Sequence, residues 1–308
     1  MSGLRVLRAG PLTLLQDGGR FGWQHLGVSP SGPADGQAAA WANRLLGNPW
    51  GTPLLEIAFG GVELESAVDT WVALCGADVP ISVDGQARPN WSRFALQAGQ
   101  RLALGFARSG QRAYLAVAGG FAVAPILGSV ATQTRDGLGG LDGAGHAVQV
   151  GACLPCRAGE LAGVAGVPWP YIPDYRHEPC LRAIAAEGCD AEALHGLFAQ
   201  RWTLSAHSDR MGARLCGEPL RLAAQSWSQG VANGAIQLPP DGQPIILLAD
   251  RQTMGGYPVL GWLHPLDLWR LAQCPAHSAV RFAPVELAQA QAEWRAFRRF
   301  FLAEAGRW

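Results

Sequence analysis

From Leu54 to Val117 the chain is a series of short apolar runs separated by glycine-bearing turns, and this punctuation limits the fold most. Leu54-Leu55-Glu56-Ile57-Ala58 is followed by Gly60-Gly61, then by Val62 to Glu65, Trp71 to Cys75 and Ile81 to Val83 before Asp84-Gly85. Two further runs, Arg101 to Phe106 and Ala113 to Val117, end at Ala118-Gly119-Gly120. Runs of this length are too short for helices and match strands joined by tight turns. With 40 glycines and 21 prolines among 308 residues, the composition favours a barrel or sandwich over a helical bundle. The length accommodates two modest domains, and 49% hydrophobic residues supply their cores.

Asn233 to Pro258 carries the densest candidate chemistry. Ala235 to Leu238 reads as a strand, Pro239-Pro240-Asp241-Gly242 as its turn, and Pro244 to Ala249 as the returning strand of a hairpin. That strand runs into Asp250-Arg251-Gln252-Thr253-Met254-Gly255-Gly256-Tyr257-Pro258, where polar groups gather beside two glycines that permit close backbone approach. Two readings stand here: Gln237, Asp250, Gln252 and Tyr257 form part of a site, or Asp250 and Thr253 satisfy turn amides.

A second cluster lies in the polar loop from Gln16 to Asp35, where Asp17, Arg20, His25, Ser29 and Ser31 offer ionisable and hydroxyl groups over about twenty residues. Asp35 is placed to cap a helix from Gly36 to Leu46. Glu56 falls inside a buried-looking strand, so it either pairs with an arginine or belongs to a site. In the second half, Ser208-Asp209-Arg210-Met211-Gly212 echoes Asp17 to Gly22, and the hairpin from Ala235 to Asp250 echoes Leu54 to Asp78, with Gln237 where the first copy has Glu56. This points to a duplication. The Gly- and Pro-rich stretch 158–180 reads as the crossing between domains 1–160 and 161–308, the second ending in a helix over Val285 to Trp308.

The 24 basic residues are all arginines, balanced by 24 acidic ones at a pI near 7.0. Neither nucleic acid nor an anionic membrane is the expected partner. A chain without lysine cannot carry a GxxxxGK[ST] phosphate loop, a pyridoxal Schiff base or a biotinyl-lysine, so if ATP or biotin takes part, either a partner contributes the lysine or this chain grips the group with arginine and backbone amides. Seven scattered cysteines fit reduced thiols. Cys153-Leu154-Pro155-Cys156 has no second pair to complete a zinc site, and no metal site is expected. Without a signal-like N-terminus or an apolar run of about 18 residues, the expected location is the cytoplasm.

The segments QDGGRFGWQHLGVSPSGPAD, LLEIAFGGVELE, RAYLAVAGGF, SDRMGARLCG, GAIQLPPDGQPIILLADRQTMGGYP and AVRF resemble, in order, the KipA and allophanate-hydrolase-subunit-2 family, also called the biotin-dependent carboxyltransferase family. Within it the chain is most similar to the C-type subunits of bacterial 5-oxoprolinases. The resemblance implies a mainly β fold of two tandem cyclophilin-like β-barrels with a few short helices. It also implies two partner subunits, one KipI-like (the B type) and one of the A type, and ATP, with Mg, for opening 5-oxoproline to glutamate. On that basis Arg20 and Arg210 would hold an anionic group, with Ser31, Asp209, Gln237, Gln252 and Tyr257 binding substrate. Asp250 would help orient the lactam, and Glu56 or His25 would move protons. The alternatives are a carboxyltransferase for urea-like amides, served by biotin on a partner, and a KipA-like regulatory binding protein. The sequence departs from the family pattern at Val130-Ala131, where relatives tend to read Arg-Ser, and at Met254, where they tend to read Thr.

Overall fold

The computed structural model describes residues 2–223, 225 and 227–302. The described chain forms two units, one of residues 2–20, 31–175 and 300–302, the other of residues 21–30 and 176–299. The break therefore falls after Tyr175 and not at 160/161. Residues beyond 160 are tied to the first unit. Ala165–Gly166 pairs with Ser92–Leu96, and the Tyr175 hydroxyl donates to Asp35 at 2.9 Å. Arg93 donates to the carbonyls of Leu45, Ala162 and Gly163. A Gly/Pro-rich stretch reads as a linker because it lacks periodicity, yet here its backbone carbonyls and aromatic rings do the packing.

The first unit is built from two six-stranded sheets. One runs, in spatial order, Cys153–Pro155, Gly3–Ala9, Gly60–Ser66, Arg101–Phe106, Ile81–Val83 and Gln86–Arg88. The other runs Ala165–Gly166, Ser92–Leu96, Thr70–Asp78, Ser109–Val117, Leu54–Ala58 and Leu12–Gln16. Period-two alternation sends Leu4, Val6, Leu64 and Leu104 of the first sheet and Leu55, Ile57, Leu74 and Leu115 of the second into one buried cluster. The opposite face of the second sheet carries Cys75, Tyr114 and Ala116, which the helix Gly36–Leu45 covers with Ala38, Trp41 and Ala42. Asp35 caps that helix, its carboxylate accepting from Ala38 N at 3.0 Å. Phe300 and Phe301 add their rings to Trp41, with centroids 5.6 and 5.2 Å away.

The second unit contains a closed barrel. Its strands run Cys180–Ala185, Val259–Leu263, Ala235–Gln237, Ile245–Leu247, Gly212–Cys216, Trp202–Leu204 and Ala279–Pro284, the last pairing in parallel with the first. Closure leaves no unpaired edge. Trp202, Leu215, Ile236, Ile246 and Leu260 fill the interior. Outside it, Arg182 grips Asp267 through Nε and Nη2 and reaches Glu293 through Nη1. Trp294 and Phe297 of the helix Leu287–Leu302 pack on Trp269. That helix was expected over 285–308, of which residues 303–308 lie outside the described residues.

The duplication seen in the sequence does not extend to strand pairing. Ala235–Gln237 and Ile245–Leu247 pair directly, whereas Leu54–Ala58 and Thr70–Asp78 are separated by Ser109–Val117. Among the described residues no helix is long and apolar enough to cross a membrane.

Candidate functional site

The outer face of the second unit's barrel carries a cavity of about 340 Å³, within the range of small-molecule sites. Strand parity builds its floor. In Gly212–Cys216, Ala213 and Leu215 turn into the core, so Gly212 and Arg214 face outward. Ile246 is fully buried in the barrel, so its neighbours Ile245 and Leu247 face the cavity. Gln237 joins them after a register shift between Ile236 and Gln237, a bulge of the kind that re-aims a side chain. The short pair Gln229–Gly230 with Met254–Gly255 closes the opposite side, bringing Val231, Met254 and Tyr257 to the rim.

Gln237 is the distinctive member. It is 5% exposed, and its Nε2 has no hydrogen-bond partner. A buried amide without a partner costs roughly 1–3 kcal/mol, so its presence on a cavity wall marks a place for a ligand acceptor. Gly255 makes the arrangement possible, since a Cβ there would stand 2.5 Å from Gln237 Nε2.

Two loops are fixed beside this wall by a buried ion pair. Arg210 donates to Asp250 through Nε at 2.8 Å and Nη2 at 3.1 Å, and the Asp250 amide returns a bond to the Arg210 carbonyl at 2.9 Å. The pair locks Asp209 to Gly212 against the turn that carries Gln252. Asp209 holds its own loop, Oδ1 accepting from the amides of Met211 and Gly212 at 2.8 and 3.1 Å. Arg251 is buried with its Nε on the Val231 carbonyl at 3.2 Å, and burial lowers its pKa from the ordinary value.

Asp209, Gln237, Gln252 and Tyr257 thus meet on one cavity, while Arg210 and Asp250 brace it from behind. The other candidates are not among its lining residues. Arg20, fully buried in the first unit, donates through Nε and Nη2 to the carbonyls of Ile126, Ser129 and Ala131, so its guanidinium organises a loop. Glu56 accepts from the Tyr114 hydroxyl and the Ala34 amide, both at 2.8 Å, with Arg112 Nε at 3.7 Å. The arginine-pairing alternative therefore holds for this carboxylate. Burial, and next the charge of Glu56, push the Tyr114 phenol well above its ordinary pKa, so it remains a donor. Ser31 sits in the first unit with a left-handed φ of 57°. His25 is exposed on the turn Gln24–Leu26 and does not line the cavity.

Arg214 and the apolar Ile245 and Leu247 escaped the sequence reading. Parity about Ala213 and Ile246 was the available signal. Of the two departures from the family pattern, Val130 is buried in the first unit's core and Met254 stands 52% exposed on the cavity rim.

Comparison with known proteins agrees with this architecture. The chain is 36% identical to the 5-oxoprolinase C subunit of Escherichia coli (strain K12), over 97% of this chain and 96% of that protein. It is 27% identical to urea amidolyase of Saccharomyces cerevisiae over 92% of this chain, which spans only 16% of that enzyme. Among solved structures, Kluyveromyces lactis urea carboxylase shares the fold with a TM-score of 0.87 at 24% identity, over 99% of this chain and 29% of that one. Residues 26–284 match the profile of the carboxyltransferase domain, subdomain A and B, and the chain belongs to that family.

Proposed function

We propose that this chain is the C-type subunit of an ATP-dependent 5-oxoprolinase, an amide hydrolase that opens 5-oxo-L-proline to L-glutamate and works only as a complex. The observation that carries the reading is the end-to-end similarity to a protein named as the C subunit of 5-oxoprolinase, at 36% identity over 97% of this chain. The orphan amide of Gln237 supports it, because a lactam carbonyl is the acceptor that Nε2 lacks. Two further subunits, the KipI-like B type and the A type, complete the assembly in this reading.

In this reading the cavity takes the lactam and not the nucleotide. Arg214 and Asp209 both line it, and a triphosphate would meet the Asp209 charge with one lining guanidinium to offset it. Nucleotide and Mg are therefore assigned to a partner. On this chain, Gln237 binds the lactam, Gln252 and Tyr257 confine it at the rim, and the Arg210–Asp250 pair keeps their loops in place. In this reading Glu56 braces the first unit, its carboxylate accepting from Tyr114 and Ala34.

The test is ATP-dependent glutamate formation from 5-oxoproline by this chain with its A-type and B-type partners, each omitted in turn. Activity is expected only in the full mixture. Full activity without this chain removes the reading. The similarity to urea amidolyase favours a second one, carboxyl transfer to a urea-like amide from biotin on a partner's lysine. Urea-dependent turnover in a mixture with a biotinyl partner would establish it.

A further inference from the structure

Three adjacent strands of the second unit carry one row of side chains into the cavity. Arg214 is the register partner of Ile245, and Ile245 is the register partner of Gln237. Directly opposed residues project from the same face, so the row presents a guanidinium, an apolar centre and an amide in line. Both ends are hydrogen-bond donors. Arg214 is exposed and forms no ion pair among the described residues, and Gln237 Nε2 is buried without a partner.

The spacing limits what fits between them. Strands about 4.8 Å apart put the two ends of the row roughly 10 Å apart. That is a backbone separation, short enough for two side-chain donors to reach one small molecule lying over Ile245. Asp209 adds the complementary group. Both of its backbone bonds end on Oδ1, which leaves Oδ2 to accept from a ligand N–H.

We propose that Arg214 is the specificity-determining residue of this cavity, forming with Gln237 a two-point clamp for a small amide that bears a carboxylate. The guanidinium takes the carboxylate as a fork, Gln237 Nε2 donates to the amide carbonyl, and Asp209 accepts the amide N–H. Ile245 lies under the carbons that join them. The clamp rests on the reading that this cavity is the substrate site, and it separates the two proposed activities. Urea presents a carbonyl to Gln237 but has no carboxylate for Arg214.

The experiment is calorimetric titration of the full chain with 5-oxo-L-proline and with 2-pyrrolidinone, the same lactam without its carboxylate. The wild type is expected to prefer 5-oxoproline by about 10- to 100-fold, the worth of a charged hydrogen-bonded pair. Arg214→Ala should erase that preference, Arg214→Lys should restore part of it, and Gln237→Leu should weaken both lactams equally. Arg214 is an exposed residue, and unfolding midpoints check that each variant folds; the lysine variant serves if the alanine one does not. A preference that survives removal of the guanidinium, or a wild type that binds neither lactam, overturns the proposal. Arg214-dependent preference with no turnover in any mixture keeps the clamp and removes the hydrolase reading. Turnover untouched by Arg214→Ala does the reverse.

Discussion

Glu56 in the first unit and Gln237 in the second occupy matching places in the sequence echo, and both are nearly inaccessible, at 3% and 5% exposure. Their surroundings differ in one respect. Glu56 is answered by a phenol, a backbone amide and an arginine, whereas Gln237 Nε2 is answered by nothing and faces a cavity. The two arginines of the echoed motifs differ in the kind of partner they hold and not in having one. Arg20 closes on backbone carbonyls and Arg210 on a carboxylate. Burial of a polar residue therefore does not separate a brace from a binding group; an unpartnered atom on a cavity wall does.

Breaking the braces should produce the largest effects. Arg210→Ala leaves the Asp250 carboxylate buried without its counter-charge, at a cost of about 3–5 kcal/mol in urea unfolding. A loss below about 1 kcal/mol would show that the pair does not hold the loops. Glu56→Ala strands the Tyr114 hydroxyl and the Ala34 amide and should cost roughly 2–4 kcal/mol, while turnover per folded molecule stays at the wild-type level. Reduced turnover in fully folded protein would move Glu56 from brace to site.

The cavity wall should respond with the opposite signature. Gly255→Ala puts a methyl 2.5 Å from Gln237 Nε2, and the flexible amide can swing away for about 1 kcal/mol or less. Its expected readout is a rise in KM of about tenfold, since the displaced donor no longer meets the substrate. Gln237→Leu should lose turnover yet leave stability unchanged or raised by up to about 1 kcal/mol, because it removes an unsatisfied buried donor. Marked destabilisation by this variant would mean that Gln237 is a brace like Glu56.

The smallest effect concerns pH in the second unit. Burial, followed by the charge of Arg182, lowers the pKa of His264, whose Nδ1 caps the helix Pro265–Ala272 by accepting from Leu266 N at 3.1 Å. Asp267 and Glu293 oppose that shift in part. A histidine with a depressed folded pKa contributes stability above its ordinary value of about 6.5, and that stability is lost as pH falls through the folded value. Urea midpoints should decline gently from pH 7 to 5. His264→Asn, which keeps a capping acceptor, should flatten the decline; an unchanged slope would assign it to other groups.

Much of this was legible in the residues. Short runs between glycine turns gave the strands, Asp35 announced its helix, and the turn Pro239 to Gly242 placed the hairpin beside the cavity. Asp209, Gln237, Gln252 and Tyr257 were visible as polar groups near glycines. Arg20, Glu56, His25 and Ser31 looked equally promising because a linear chain shows which groups are polar and not which of them line a given cavity.

The sequence by itself determined that the chain is mostly β, that it divides in two, and that it has no lysine with which to carry biotin. These follow from local periodicity, turn chemistry and composition, which act over a few residues. Only the tertiary structure decided that residues 161–175 belong to the first unit and that the second closes its barrel through a parallel pair. It alone set Arg214, Ile245 and Gln237 in one row. Register between strands far apart in sequence fixes which side chains share a face, and a one-residue slip would send every one of them to the other side.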